Sequence, residues 1–533
     1  MHAAARWCTL VSTAAALVAV GVPSATAGPT RQSTPYTARN SYSVGTVSYN
    51  FGDRAYTLPG TEEPVELAAT VHYPKNLNGT PHPLIVALHG WHETCADAAA
   101  ETARSEAEQA QDWDAFSQAS GRLFSWPCPS GVKPIASDRG YDYLGEQLAA
   151  QGFVVVSIRA NGINASSVSG DENASARADL INRHLALWQL LTSTGSGRLA
   201  GRFGNVDSGR PVDVDFAHHV DMREVGTLGH SRTGAGVTWQ AADRHRRAWP
   251  AGEQVKAVLA LAPAYNVMTE DMSAYRIDST PLAVMRGTCD GQVGEEAFSF
   301  ARDATAAGKA DTYEFGVHGA DHNYFNTQWS PQSGQVAAYD DAGQPQDQAG
   351  KCTDAYASTV DTELTEDAQR LVGALYVGAY FRRCLMSDTR SAPVLEGHTH
   401  PAADTATVDV KTTGAESRWT GLRGVRGVNP GRPGRHSLAV RTGSVSSRGR
   451  RSGALDSDAL GALAHSLVSP TEAASVLSGG EVLVRRNDEG TFTLLRQPCR
   501  PRCGRDGAGP GGAHSRICSV SGRLQIPAGD VRG

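Results

Sequence analysis

Five short, continuous apolar runs constrain the fold of this chain more than any other feature: "PLIVALHGW" (83–91), "VVVSIRAN" (154–161), "VGTLGHSRTG" (225–234), "KAVLALAPA" (256–264) and "PLAVMRGTCD" (281–290). Runs of this length that do not alternate are strands buried on both faces, and such strands belong to parallel sheets covered by helices on each side. The segments between them have helical spacing. "YDYLGEQLAAQGF" (141–153) stops at a glycine, and residues 173–193 carry Leu180, Ile181, His184, Leu185, Leu187, Trp188 and Leu191 as an amphipathic stripe. A helix follows Ser231 in "GAGVTWQAADRHRR", another is expected around 295–307, a strand at "TYEFGV", and a closing helix over 364–385. Residues 42–74 alternate with period two and read as antiparallel strands that open the sheet. Strand and helix in alternation give an α/β fold.

The chain has 533 residues, 40% hydrophobic and 20% charged, enough for a full catalytic domain and a second unit. Its N-terminus reads as an address. His2 and Arg6 precede an apolar run from about Trp7 to Val22, and Ala25-Thr26-Ala27 supplies a cleavage site. That is the pattern of a secretory signal peptide over 1–27, followed by a polar leader over 28–41. No later run is long and apolar enough to predict a membrane span. Export to an oxidising compartment makes disulfides expected among the eight cysteines left after Cys8. Cys95–Cys128, closing one insertion, is the first choice of pairing, and Cys289–Cys352 the second.

The catalytic domain is expected over 42–388, interrupted at 92–139 by an insertion placed to act as a lid or pocket wall. Beyond 389 the text turns to Arg, Gly, Pro and Ser. Residues 412–533 hold 18 Arg against 9 acidic residues, so the net charge of −6 conceals −15 on the rest of the chain. One hairpin is expected there, over 481–496. Three readings of residues 389–533 stand: a small β-rich module for an anionic or polysaccharide surface, a disordered basic extension, or out-of-frame translation. Cys499, Cys503 and Cys518 form an incomplete set for zinc. No metal, cofactor or nucleic-acid partner is expected.

Ser231 is the residue that demands an explanation. A serine hydroxyl is a poor nucleophile unless it is lifted out of the backbone and given a base. Gly229-His230-Ser231-Arg232-Thr233 follows an apolar strand and precedes a helix, the setting of a nucleophile elbow, although Thr233 stands where the G-x-S-x-G pattern has glycine. Companions follow in the order Ser, Asp, His. Asp290 ends a strand, where it orients a base or else simply caps a turn. His322, in "GVHGADHNYFN", lies past the last strand, with His318 its rival and Asp321 a rival acid. The second oxyanion donor beside the Arg232 N–H is expected from Trp91, in the loop after His89-Gly90. His89, Gly90, Tyr324 and Phe325 are expected on the substrate side.

Taken together, "LHGW", "GHSRTGAG", "GTCDGQVG", "GADHNYFNTQW" and the segment 140–164 resemble the secreted α/β-hydrolases of GC-rich bacteria, over about residues 60–385. The resemblance implies a mostly parallel eight-stranded sheet flanked by helices, serine carboxylic-ester hydrolysis without a cofactor, and the triad Ser231, Asp290 and His322. An ester substrate, small or polymeric, follows from that chemistry. A serine peptidase of the same fold is the alternative within enzymes. A non-catalytic cell-wall or polysaccharide binder on the same scaffold is the alternative outside them.

Overall fold

Nine strands form one sheet in the computed structural model, which describes residues 42–265, 272–307, 310–334, 351–353, 360–400 and 406–413, and three strands beyond 471. In chain order the nine are β1 (Val44–Asn50), β2 (Ala68–Pro74), β3 (His82–Leu88), β4 (Val154–Ile158), β5 (Val220–His230), β6 (Val255–Leu261), β7 (Leu282–Gly287), β8 (Thr312–Val317) and β9 (Val408–Thr413). Across the sheet they run β1-β2-β4-β3-β5-β6-β7-β8-β9. The six from β4 to β8 are mutually parallel, while β2 is antiparallel to both its neighbours. The expected signal peptide and leader, residues 1–41, lie outside the described residues.

The continuous apolar runs are strands with both faces covered. Leu84, Val86 and Leu88 of β3 enter one core, and Ile85 and Ala87 enter the other. The first core is closed by helices Gly170–Thr194, Arg232–Ala241 and Ser299–Ala307; the second by Asp142–Ala150 and Glu366–Met386. With the insertion helices Ala98–Ala110 (α1) and Trp113–Leu123 (α2), these become α3 (Asp142–Ala150), α4 (Gly170–Thr194), α5 (Arg232–Ala241), α6 (Ser299–Ala307) and α7 (Glu366–Met386). Helix α4 stops where Gly195 takes φ 66°, the left-handed conformation that glycine adopts without a Cβ penalty.

The sheet exceeds the expected eight strands, and it draws on residues past 388. Strand β9 pairs antiparallel with β8 at the edge. Its sequence, "VDVKTT", buries one face only: Val408 is buried, and the Lys411 ammonium lies 3.0 Å from the Glu314 carboxylate. A short half-polar edge strand next to an Arg/Gly-rich stretch carries little signal of its own.

Both expected disulfides are present, Cys95–Cys128 with Cα atoms 5.6 Å apart and Cys289–Cys352 with 5.4 Å. Cys384 is a free thiol that burial pushes up to about 12, so it is chemically quiet at neutral pH. Among the described residues no helix is long and apolar enough to cross a membrane.

Residues 430–533 form a separate compact unit. The expected hairpin is present in it as β11 (Gly480–Arg486) against β12 (Phe492–Arg496), and a third strand, β10 (Glu472–Leu477), pairs with β11. Cys499, Cys503 and Cys518 lie outside the described residues.

At the amino edge of the sheet, Glu253 leads into β6 with a buried carboxyl group that meets no hydrogen-bond donor among the described residues. Burial alone raises its pKa to about 8. The acid is therefore neutral in the fold and ionised when unfolded at neutral pH. Its contribution to stability is complete below the unfolded value and is lost as pH rises through the folded one. Between about pH 6 and about pH 9, urea denaturation should show the wild type losing about 3 kcal/mol relative to Glu253→Gln.

Candidate active site

The order of strands reverses at β3: the chain proceeds to β4 on one side, and β5 lies on the other. Such a switch point opens a crevice outside the carboxyl ends of the strands. The loops after β3, β5, β7 and β8 leave the sheet there, and they carry His89-Gly90-Trp91, Ser231, Asp290 and His322.

Ser231 sits at φ 56°, ψ −125°, a conformation that costs a non-glycine residue about 1–3 kcal/mol. The surrounding chain holds it there. Its N–H donates to the Leu261 carbonyl (2.9 Å), and its own carbonyl accepts from the amides of Gly234 (2.8 Å) and Ala264 (3.1 Å). The turn is too tight for a side chain at Gly229, where a Cβ would lie 2.2 Å from the Thr233 carbonyl oxygen. Thr233, the departure from the glycine pattern, fits because its hydroxyl donates to the His89 carbonyl at 2.6 Å. Close helix packing is supplied instead by Gly234, against Pro263, and Gly236, against Arg177.

His322 and Asp290 form a fully buried couple, with Nδ1 and Oδ2 2.8 Å apart. The other carboxylate oxygen accepts the amides of Gln292 (2.9 Å) and Val293 (2.8 Å). Two backbone donors and the ring favour the ionised acid and fix the imidazole proton on Nδ1, which presents Nε2 as a base. His230, adjacent to the serine, ties this histidine loop to the elbow. Its Nε2 lies 3.0 Å from the His322 carbonyl, its Nδ1 is 2.9 Å from the Tyr141 hydroxyl, and the two imidazole centroids are 5.0 Å apart. Burial holds the His230 pKa well below the usual value, so it stays a neutral strut.

The loop after β3 closes on the serine from the other side. A Cβ on Gly90 would lie 2.5 Å from Ser231 Cβ and 3.3 Å from its Oγ. The loop carbonyls face inward. Asn164 Nδ2 donates to the carbonyls of Gly90 (3.0 Å) and His92 (3.4 Å), and His89 Nδ1 lies 2.9 Å from the Gly90 carbonyl. In a trans peptide the next N–H is antiparallel to the carbonyl, so the Trp91 amide points away from Asn164. The Trp91 ring is stacked on Phe124 of the insertion (4.4 Å, 12°), and the Arg232 guanidinium lies 4.5 Å over it. The insertion thus packs against the loop after β3, and Cys95–Cys128 closes the segment that contains its two helices.

The other expected residues and their rivals are held as follows. His89 is completely buried, accepts the Ala160 amide at 2.9 Å, and is kept neutral by burial, with its pKa near 3. Phe325 is packed in the second core against Gly373 and edge-on to His230. Tyr324 is half-buried. The rival His318 lies between Asp361 (3.1 Å) and Asp409 (2.9 Å), clamping β9 to the sheet. Asp321 turns to its own backbone, accepting the amides of Asn323 (2.6 Å) and Tyr324 (3.2 Å).

Sequence reasoning missed the polar frame behind the site, Asn164 and Arg177, whereas Trp329, expected with the other aromatics as an apolar wall near the site, stacks on His230 at 4.9 Å and on His92 at 5.2 Å. Only Arg177 left a signal, as a charge within the apolar stripe of α4. Among the described residues, no group of three or more His, Cys, Asp or Glu side chains is arranged to hold a metal ion. No protein-family model matches this chain, and no curated protein matches it.

Proposed function

We propose that this chain is an exported serine hydrolase of the α/β-hydrolase type that cleaves carboxylic esters through an acyl-enzyme. The observation that carries the reading is a serine held at positive φ on a strand–helix turn, with a buried imidazole–carboxylate couple of 2.8 Å on loops that leave the same edge of the sheet. The strand–turn–helix setting and the chain order Ser, Asp, His support the fold assignment. Two disulfides are compatible with export.

In this mechanism the Ser231 oxygen bonds to the ester carbonyl carbon while His322 Nε2 takes the hydroxyl proton. The carbonyl electron pair moves onto oxygen, held by the Arg232 and Trp91 amides. It returns as the C–O bond to the alcohol breaks, and the imidazolium delivers its proton to the leaving alkoxide. Water repeats the sequence on the acyl-enzyme, releasing acid and serine. Esters are preferred over amides because an alkoxide leaves more readily than an amine.

Turnover of p-nitrophenyl esters of increasing acyl length by the mature protein tests this. Hydrolysis is expected, and Ser231→Ala should lower kcat by at least about 10³-fold. Folded wild-type protein that hydrolyses no member of the series would remove the reading, and faster cleavage of p-nitroanilides would make it a peptidase.

A further inference from the structure

Arg177 projects from the N-terminal third of α4 and is completely buried. Its guanidinium donates to Asn173 Oδ1 (Nε, 2.7 Å), the Thr233 hydroxyl (Nη1, 2.9 Å), the His89 carbonyl (Nη1, 3.2 Å) and Asn164 Oδ1 (Nη2, 2.6 Å). All four acceptors are neutral. Other buried or partly buried arginines of this molecule face carboxylates instead: Arg104 faces Glu93 at 2.7 Å, Arg159 faces Asp138 at 2.8 Å, and Arg286 faces Glu295 at 2.7 Å. A cation taken out of water without a counter-charge costs several kcal/mol. Burial, with Arg232 nearby, pulls the Arg177 pKa down to about 9, which still leaves it protonated at neutral pH.

That charge lies directly behind the site. Through Thr233 it touches the elbow that carries the Arg232 amide. Through His89 and Asn164 it touches the loop that carries the Trp91 amide. Asn164 passes this on: its Oδ1 accepts from Arg177 while its Nδ2 donates to the Gly90 carbonyl, the other end of the Trp91 peptide, which makes the Trp91 N–H a stronger donor. We propose that Arg177 is a positioning residue for ester cleavage, whose uncompensated positive charge, relayed through Asn164 and the Gly90 carbonyl to the Trp91 N–H, stabilises the oxyanion formed at Ser231. This rests on the serine-hydrolase reading above.

Asn173→Asp separates charge from scaffold. The new carboxylate keeps the acceptor for Arg177 Nε and every donor contact from Arg177 to the loop, giving up only the contact of Asn173 Nδ2 with the Val168 carbonyl at 3.3 Å. It also lies in the first turn of α4, where a helix favours negative charge. The variant should keep or raise its Tm, lose about tenfold in kcat with KM unchanged, and react with a fluorophosphonate about tenfold more slowly. Wild-type kcat in Asn173→Asp, or a change confined to KM, would overturn the role of the charge. Arg177→Met should lose about 100-fold in kcat; if it does not fold, Asn173→Asp still decides. Failure of the parent reading looks different, because the wild-type protein itself would then leave the fluorophosphonate unreacted.

Discussion

Asparagine in place of Asp290 should lower kcat/KM for esters about 10⁴-fold while the protein stays folded. The reason lies in how the two carboxylate oxygens are used. Oδ1 accepts two backbone amides, from Gln292 and Val293, and Oδ2 faces His322 Nδ1 at 2.8 Å. An asparagine keeps its carbonyl oxygen on the backbone donors, since an NH₂ there would meet two N–H groups. Its amide nitrogen then faces the imidazole and donates to Nδ1, which moves the ring proton to Nε2. The nitrogen meant to receive the serine proton already carries one, and a positive charge on the ring loses its counter-ion. Steady-state kinetics beside a thermal melt measures both halves of this expectation; an asparagine variant with near wild-type turnover would show that Asp290 merely caps its turn.

Gly90→Ala should be nearly as damaging, for a steric reason. The added methyl would lie 2.5 Å from Ser231 Cβ and 2.8 Å from the His230 carbonyl oxygen. Neither neighbour is a flexible side-chain end: one is anchored in a strained elbow, the other is strand backbone. The loop must therefore move, and it carries the Trp91 amide with it. Displacing a catalytic group by about 1 Å costs about 100-fold, so kcat should fall by at least that factor, with a smaller change in KM. Wild-type kcat in this variant would mean that the loop contributes no donor to the transition state.

The sheet was legible because its central strands are buried on both faces, and such strands need nothing but apolar residues in unbroken runs. Leu84–Leu88 and Val154–Ile158 declare themselves in this way. Ser231 was legible because a strained turn requires small neighbours, and Gly229 and Gly234 stand beside it in the text. Asp290 and His322 were legible as polar residues just past strand ends; the geometry adds that His318 and Asp321 have other partners. The edge strand β9 was hidden because half of its residues face water.

What the text could not express was the frame behind the site. Arg177 and Asn164 are 13 residues apart, but the loop they hold together begins 88 residues before Arg177. Spacing along a helix reports which face is buried and says nothing of what that face meets. Thr233 read as a defect in a glycine motif, whereas its hydroxyl is the link between elbow and loop. Tyr324 and Phe325 read alike as aromatic walls, yet one short turn leaves the first half-exposed and sends the second into the core.

The most direct test of a reactive serine at this edge of the sheet is peptide-mapped mass spectrometry after treatment with a fluorophosphonate. A single phosphonyl adduct on Ser231, lost in His322→Ala although that serine is unchanged, is the predicted result. Folded wild-type protein that takes up no label, or takes it up on another residue, would contradict the account.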